Sequence, residues 1–190
     1  DICAAPGGKS MLAADILNHA DIDYMLEARD ISEYKVELMQ ENFNRCHLNK
    51  AKAVAWDALE PDERWLGQAD VVIADIPCSG LGVIGRKRDI KYKMTPQAVQ
   101  DIVELQEKIL KVAASYVKKG GKLLFSTCTV NKDENEAHVK WIQDTLKMTP
   151  VSLNGTLPGL VHSPTTQQGF VQLIPGMQDT DGFFISVFEK

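Results

Sequence analysis

Short apolar segments with strand character alternate with helical segments along this chain of 190 residues. Tyr24–Ala28, Ala51–Ala55 and Val71–Ala74 have the composition of strands, and Val71–Ala74 is flanked by aspartates, as a buried parallel strand would be. Helices that connect such strands make right-handed crossovers, which build an open, mostly parallel sheet covered on both faces. The sequence therefore predicts an α/β fold.

The helices are marked by apolar residues at helical spacing and by residues that favour helix starts. A helix is expected over about Lys9–Leu17, after a glycine pair. Ser32 can cap the next helix. Thr95, with Pro96 at the first helical position, predicts the start of the longest helix.

Two further helix boundaries are predicted from local signals. Gly120 and Gly121 follow the apolar repeat of the longest helix, so we expect the pair to end it before a strand at Leu123–Phe125. Asn131 and Glu134 have the spacing of a capping box, which predicts that a further helix begins there.

The C-terminal part predicts a loop followed by two strands. Residues Thr149–Gln168 are rich in Pro, Gly, Ser and Thr, which favours a loop. Phe170–Ile174 and Phe183–Phe188 have strand character and flank a turn, so they are expected to pair antiparallel.

The start of the chain predicts that a strand is cut short. Only Asp1 and Ile2 precede the glycine-rich loop, although a loop of this kind normally follows a complete strand. We therefore expect residues 1–190 to be one domain, with its first strand truncated, and a fragment of a longer protein.

Composition excludes several classes of protein. The net charge of −5 gives no overall attraction to nucleic acid, so any such contact must be local. Apolar runs are too short to span a membrane, and we expect a cytoplasmic protein. The cysteines and histidines are scattered without a CxxC pair, which argues against disulfides and against a metal site. The cysteines are Cys3, Cys46, Cys78 and Cys128.

The loop Cys3–Lys9 has the small residues that let a ligand approach the backbone, directly before a helix N-terminus. It is not a Walker A loop, because Cys3 stands where that motif needs glycine. A GxGxxG dinucleotide motif is also absent. The loop predicts a ligand site of another kind.

Three carboxylates follow successive predicted strands: Asp30, Asp57 and Asp75. In an open α/β sheet the carboxyl ends of the strands line the ligand crevice. An acidic residue after the second strand is suited to hold ribose hydroxyls. Together the three residues favour a ligand site at this edge.

Two of the cysteines lie in loops directly after apolar strands. Cys78 lies in the segment Asp75–Gly80, and Cys128 lies in Ser126–Thr129. A free cysteine is usually a small buried apolar residue, which suits Cys46 in its helix. The loop positions of Cys78 and Cys128 instead favour a chemical role. A GxSxG serine elbow is excluded, because Pro77 stands at its first glycine.

The segments CAAPGGKS, ADIPCSGLGV, STCT and DGFF resemble the bacterial Sun/Fmu family of ribosomal RNA cytosine-C5 methyltransferases, related to the eukaryotic NOL/NOP and NSUN enzymes. The resemblance covers essentially the whole chain. It implies a Rossmann-like class I S-adenosylmethionine-dependent methyltransferase fold, with residues 1–190 as the catalytic domain and the upstream RNA-binding region absent. The implied substrate is a cytosine in 16S rRNA, with tRNA or 23S rRNA as alternatives.

The resemblance also implies roles for particular residues. Cys128 would be the nucleophile that adds to C6 of cytosine, and Cys78 would help release the product. Asp75 is our candidate for contacting or protonating N3 of the base. The residues implied to bind S-adenosylmethionine are Cys3, Ala4, Ala5, Pro6, Gly7, Gly8, Lys9, Asp30, Asp57 and Asp75.

A basic segment follows the Pro-Cys motif and is a candidate for RNA binding. Its cations could hold phosphates beside a flipped base, with an aromatic residue among them. A solvated basic loop is an equally good interpretation of the same residues. The cations are Arg86, Lys87, Arg88, Lys91 and Lys93.

Three other functions are alternatives to this one. A DNA cytosine-C5 methyltransferase uses the Pro-Cys cysteine as nucleophile, but the added Thr-Cys motif and the CAAPGGK loop argue against it. A catalytically silent module that binds S-adenosylmethionine or RNA would not need both cysteines and all three carboxylates. A dinucleotide-dependent oxidoreductase is disfavoured by the missing GxGxxG motif.

Overall fold

The computed structural model describes residues 1–156 and 165–190. The described helices are α1 (Gly8–His19), α2 (Glu33–Arg45), α3 (Ile90–Lys93), α4 (Pro96–Tyr116) and α5 (Glu136–Trp141). The described strands are β1 (Leu26–Asp30), β2 (Ala51–Ala55), β3 (Ala69–Asp75), β4 (Val117–Thr127), β5 (Thr149–Pro150), β6 (Phe170–Leu173) and β7 (Phe183–Glu189). Part of the predicted loop, residues 157–164, lies outside the described residues. The predicted α/β fold is confirmed.

The strands form two hydrogen-bonded groups. β1 and β2 are parallel to each other. β3 and β4 are also parallel, whereas β7 runs antiparallel to β4, β5 and β6. The sheet is therefore mixed, and the predicted antiparallel pairing of the last two strands is confirmed as β6 and β7.

The first residues of the chain join the two groups of strands. The amide of Ile2 donates to the carbonyl of Ile73 in β3 at 3.0 Å. On the other side, the amide of Arg29 in β1 donates to the carbonyl of Asp1 at 2.8 Å, and the amide of Ala4 donates back to Arg29 at 2.7 Å. Residues 1–4 thus lie between β1 and β3 and form hydrogen bonds with both.

The helices pack against the strands through buried apolar faces. α4 begins as predicted, with the Thr95 side chain accepting a hydrogen bond from the amide of Ala98 at 3.1 Å. Leu110 of α4 belongs to the larger hydrophobic cluster, together with Phe125 and Phe184. A second cluster lies around α1, β1 and α2.

The glycine pair at Gly120 and Gly121 does not end the helix, and that prediction is wrong. α4 ends at Tyr116, and the pair lies inside β4. Gly120 has a φ of +75°, and a Cβ on Gly121 would lie 2.9 Å from the carbonyl oxygen of Ala69. The pair therefore lets β4 bend while it passes close to β3, where the register of the two strands shifts.

The predicted capping box at Asn131 and Glu134 is also wrong. α5 begins at Glu136, which is two residues after Glu134 and five after Asn131. The Asn131 side chain accepts from the amide of Asp133 at 2.9 Å, which is a local turn. Glu134 is fully buried, and its carboxylate accepts hydrogen bonds from Ser79 and Gln106 instead.

A cavity of about 870 Å³ lies between the amino ends of β1 and β3. Ile16, Met25 and Val71 are among its lining residues, and most of its lining is apolar. None of the predicted site residues lines it. In the described part of the chain, this cavity is thus separate from the edge where the cysteines lie.

Candidate active site

The two loop cysteines meet at the carboxyl edge of the sheet. β3 and β4 are parallel neighbours, so the loops that follow them leave the same edge. The Sγ atoms of Cys78 and Cys128 lie 3.2 Å apart, although the residues are 50 positions apart in sequence. Both side chains are half-buried.

The contact between the sulfur atoms makes the two thiols unequal. The hydrogen bond from Cys78 lowers the pKa of Cys128 to about 7, against the opposing effects of burial and of Asp75. The same hydrogen bond, together with burial, raises the pKa of Cys78. Cys128 therefore ionises first, and the Cys78 thiol donates a hydrogen bond to its thiolate. A thiolate near neutral pH is the reactive form of cysteine.

Asp75, at the end of β3, connects the glycine-rich loop to both strand ends. One carboxylate oxygen accepts from the Ser126 hydroxyl at 2.8 Å. The other lies 2.5 Å from the Nζ atom of Lys9, in the first turn of α1. The Lys9 ammonium also lies 5.5 Å from the centroid of the Phe183 ring. Asp75 is thus held beside the cysteines by the loop that was predicted to bind the cofactor.

The loop itself is a tight turn into α1. Its backbone contains a cis peptide bond between Ala5 and Pro6, and Gly7 has a φ of +94°. The amide of Gly7 donates to the carbonyl of Ala4 at 2.6 Å. A Cβ on Gly7 would lie 3.2 Å from the Met39 side chain, so a larger residue would crowd α2. Small residues are required here by both conformation and space.

The three predicted carboxylates all affect the pKa of one residue of the glycine-rich loop, Cys3. The pKa of Cys3 is raised to about 12, mainly by burial and additionally by the charges of Asp30, Asp75 and Asp57. Asp30 is held by the amide of Ser32 at 3.0 Å. An acidic crevice beside a loop of small residues fits a cationic sulfonium cofactor with ribose hydroxyls.

The basic segment lies close to the cysteines on the exposed surface. The charge of Lys87 contributes to lowering the pKa of Cys128. Arg86 forms an ion pair with Asp181 at 3.0 Å, and Lys93 forms one with Asp89 at 2.7 Å. All five predicted cations are exposed; they are Arg86, Lys87, Arg88, Lys91 and Lys93.

Sequence reasoning missed a set of hydrogen-bonded polar residues near the cysteines, of which Thr127, Thr129 and Asn135 are buried and Gln172 is half-buried. The Asn135 side chain accepts from the Thr127 hydroxyl at 2.6 Å and donates to the Gln172 side chain at 2.6 Å. Gln172 in turn donates to the carbonyl of Thr129 at 3.2 Å. The sequence does contain an indication of this set, because the polar residues Glu134 and Asn135 follow Cys128 by six and seven positions. The capping-box interpretation assigned Glu134 to a helix start instead.

Comparison with known proteins places the chain in a family. Residues 1–189 match the family described as 16S rRNA methyltransferase RsmB/F. The chain belongs to this RsmB/F family. A Bacillus subtilis protein named probable ribosomal RNA small subunit methyltransferase B is 38% identical to it over the whole chain. Ribosomal RNA small subunit methyltransferase F of Escherichia coli is 29% identical.

The chain spans 42% of the length of the Bacillus subtilis protein and 39% of the Escherichia coli protein. The crystal structure of NSun6 from Pyrococcus horikoshii with SFG covers all of this chain and 47% of its own length, with a TM-score of 0.80 and 26% identity. The fold of this RsmB/F domain is thus that of class I methyltransferases.

The described residues hold neither a membrane-crossing helix nor a metal cluster. Within residues 1–156 and 165–190, each helix is too short or too polar to cross a membrane. The same residues contain no group of three or more His, Cys, Asp or Glu side chains placed to hold a metal ion.

Proposed function

We propose that this chain is the catalytic domain of a methyltransferase that transfers a methyl group from S-adenosylmethionine to C5 of cytosine in RNA. The observation that carries the proposal is the 3.2 Å separation of the Cys78 and Cys128 sulfur atoms, beside the glycine-rich loop. C5 of cytosine is a poor nucleophile, and a thiolate added at C6 makes it an enamine carbon. Covalent catalysis of this kind divides one difficult step into easier ones.

Cys128 is the proposed nucleophile because it is the cysteine with the lowered pKa. Its sulfur forms a bond to C6, and the electrons of the C5–C6 double bond become available at C5. When bound, S-adenosylmethionine would supply an electrophilic methyl group: C5 forms a bond to the methyl carbon as the bond between that carbon and the sulfonium sulfur breaks, with its electron pair left on the sulfur. Asp75, fixed by Lys9 and Ser126, is the proposed contact for N3 of the base.

Cys78 is proposed to act in product release. Once Cys128 is bonded to C6, its thiolate no longer raises the pKa of Cys78. Cys78 then loses its thiol proton to water and takes the proton from C5, the C5–C6 double bond reforms, and the bond between C6 and Cys128 breaks. The electrons of that bond return to Cys128. Cys78 is the candidate because its sulfur is in contact with the sulfur of Cys128.

The glycine-rich loop and the strand-end carboxylates are proposed to bind the cofactor. Asp30 and Asp57 would accept hydrogen bonds from ribose hydroxyls, since both follow strands at the acidic edge. The residues of the loop, Cys3, Ala4, Ala5, Pro6, Gly7, Gly8 and Lys9, would line the remainder of the site.

The proposed substrate is 16S ribosomal RNA in the cytoplasm. The description of the family and the names of the Bacillus subtilis and Escherichia coli relatives support this choice. The exposed cations from Arg86 to Lys93 would hold the phosphates on either side of the target base.

The test is whether single cysteine variants of the full-length protein trap RNA covalently. We expect Cys78→Ala to accumulate an RNA adduct that survives denaturing electrophoresis, because C6–sulfur cleavage is blocked. Cys128→Ala should form none, and bisulfite sequencing of rRNA should show a cytosine that the wild-type protein protects. The reverse pattern would make Cys78 the nucleophile and overturn the proposal.

A further inference from the structure

Glu134 is a fully buried carboxylate directly behind the cysteine loops. It accepts a hydrogen bond from the amide of Ser79 at 2.8 Å and a short one from the Ser79 hydroxyl at 2.5 Å. The side chain of Gln106, in α4, donates a third at 3.0 Å. The carboxylate is therefore held by several donors from different parts of the chain.

These contacts connect the two cysteine loops to each other. Ser79 follows Cys78, and its hydroxyl lies 2.8 Å from the hydroxyl of Thr129, which follows Cys128. The Thr129 hydroxyl is also 3.4 Å from the Glu134 carboxylate. One side chain thus contacts the residue after each cysteine.

Gln106 extends the same connection to the residue before Cys78. Its side-chain amide donates to the carbonyl of Pro77 at 2.9 Å as well as to Glu134. Both residues are fully buried. The Cys78 loop is therefore fixed on both sides of the cysteine by α4 and by Glu134.

A buried carboxylate is costly unless it is well hydrogen-bonded. Among the ion pairs of the described residues, none involves Glu134, so its charge is balanced by neutral donors alone. We infer that Glu134 is a positioning residue that sets the distance between the Cys78 and Cys128 sulfur atoms. The catalytic purpose of that distance rests on the proposed function, but the distance itself can be tested without RNA.

Glu134→Gln should loosen this arrangement without removing volume. The amide oxygen can keep the Ser79 amide and Gln106, but the NH2 group then faces the Ser79 hydroxyl, so the short hydrogen bond from that hydroxyl to the carboxylate is lost. The sulfur atoms then separate, and the Cys78 thiol stabilises the Cys128 thiolate less. The other charged groups that act on Cys128 are Asp75 and Lys87, which this substitution leaves in place.

The experiment measures alkylation of Cys128 by iodoacetamide against pH, read by mass spectrometry of its peptide, in the full-length protein. We expect the midpoint of the profile to move up by about one pH unit in Glu134→Gln, which is about a tenfold slower reaction at neutral pH. Glu136→Gln, a half-buried carboxylate of the same segment, is the matched control and should leave the profile unchanged. Melting curves of both variants report whether the fold is kept.

An unchanged profile in folded Glu134→Gln would overturn the inference. If that variant does not fold, Ser79→Ala takes its place, because it removes one donor and leaves the carboxylate; a smaller upward shift supports the inference, and no shift overturns it. If the profile shifts but the wild-type protein does not methylate cytosine, positioning by Glu134 stands and the proposed function falls.

Discussion

The amide of Gly182 donates a hydrogen bond to the carbonyl oxygen of Gly82 at 2.8 Å. Gly82 lies in the turn after Cys78, and its own amide donates to the carbonyl of Cys128 at 3.1 Å. The DGFF segment is therefore hydrogen-bonded to the Cys78 loop, which is in turn hydrogen-bonded to the Cys128 loop. The backbones are so close that a Cβ on Gly182 would lie 2.6 Å from the Cα of Gly82.

Gly82→Ala should disrupt this closure. Its new methyl group would overlap the carbonyl of Gly182 and lie 2.8 Å from that of Cys128, so the loops must move apart. We expect methyl transfer to fall by about a hundredfold, because small displacements of reacting groups have effects of that size. The measurement is the initial rate of methyl incorporation into rRNA.

Gly85→Ala is the control for this prediction. Nothing lies within 4 Å of a Cβ at Gly85, three residues along the same segment. Its rate should match that of the wild-type protein. Equal rates for Gly82→Ala and Gly85→Ala would show that the contact between Gly82 and Gly182 is not needed for activity.

The reactivity of Cys128 should depend on pH in a defined direction. Its pKa is lowered to about 7, so the thiolate predominates above that pH and is lost below it. Alkylation should slow about tenfold for each pH unit below the midpoint. Removing the donor with Cys78→Ala should move the midpoint up, towards the ordinary thiol value of 9.0.

The exposed Cys46 provides the comparison for this experiment. Cys46→Ala should leave the Cys128 profile in place. A Cys128 midpoint that stays near 7 in Cys78→Ala would mean that another group stabilises the thiolate.

The basic segment should contribute to RNA affinity through its charge. Replacing Arg86, Lys87 and Arg88 with Ala should weaken RNA binding and reduce its dependence on salt, because fewer counterions are released. The measurement is the dissociation constant at several salt concentrations. The exposed lysines Lys118 and Lys119, at the opposite end of β4, serve as a control double variant. A salt slope that the triple variant leaves unchanged would favour a merely solvated loop.

A buried ion pair under β1 should matter for stability. The Arg29 guanidinium is 4% exposed and lies 2.5 Å from the carboxylate of Asp62, which is equally buried. Asp62→Ala leaves Glu27 as the ion-pair partner of Arg29, also removes the contacts between Asp62 and Arg64, and should lower the free energy of unfolding by about 3 kcal/mol. Urea denaturation measures this change.

Asp70 offers the matched comparison, because it forms an exposed ion pair with Lys118. Asp70→Ala should change the free energy of unfolding by only about 0.5 kcal/mol or less. Similar effects of the two substitutions would contradict the assignment of Arg29 and Asp62 as a structural pair.

The sequence allowed the carboxyl edge of the sheet to be predicted well. Apolar strands followed by Asp30, Asp57 and Asp75 define that edge through topology alone, and the structure brings Cys78 and Cys128 together there. Parallel strands align their carboxyl ends whatever the details of packing. Residues placed by this rule can therefore be found without coordinates.

Local signals failed where distant contacts decide the outcome. The spacing of Asn131 and Glu134 suits a capping box, but Ser79 and Gln106 provide better donors for the Glu134 carboxylate. Gly120 and Gly121 would suit a helix end, yet they serve a bend in a strand. In both cases the contact that determines the structure is with a residue more than 20 positions away in sequence or in a neighbouring strand. A short sequence motif cannot reveal such a contact.

Residues 1–4 form hydrogen bonds with both β1 and β3, and they lead directly into the glycine-rich turn. A ligand bound at that turn would therefore contact the segment that joins two halves of the molecule. One half is built on β1 and β2, and the other on β3 and β4. The proposed site of the methyl donor is thus at the junction of the two halves, and a donor bound there would stabilise the whole domain against unfolding.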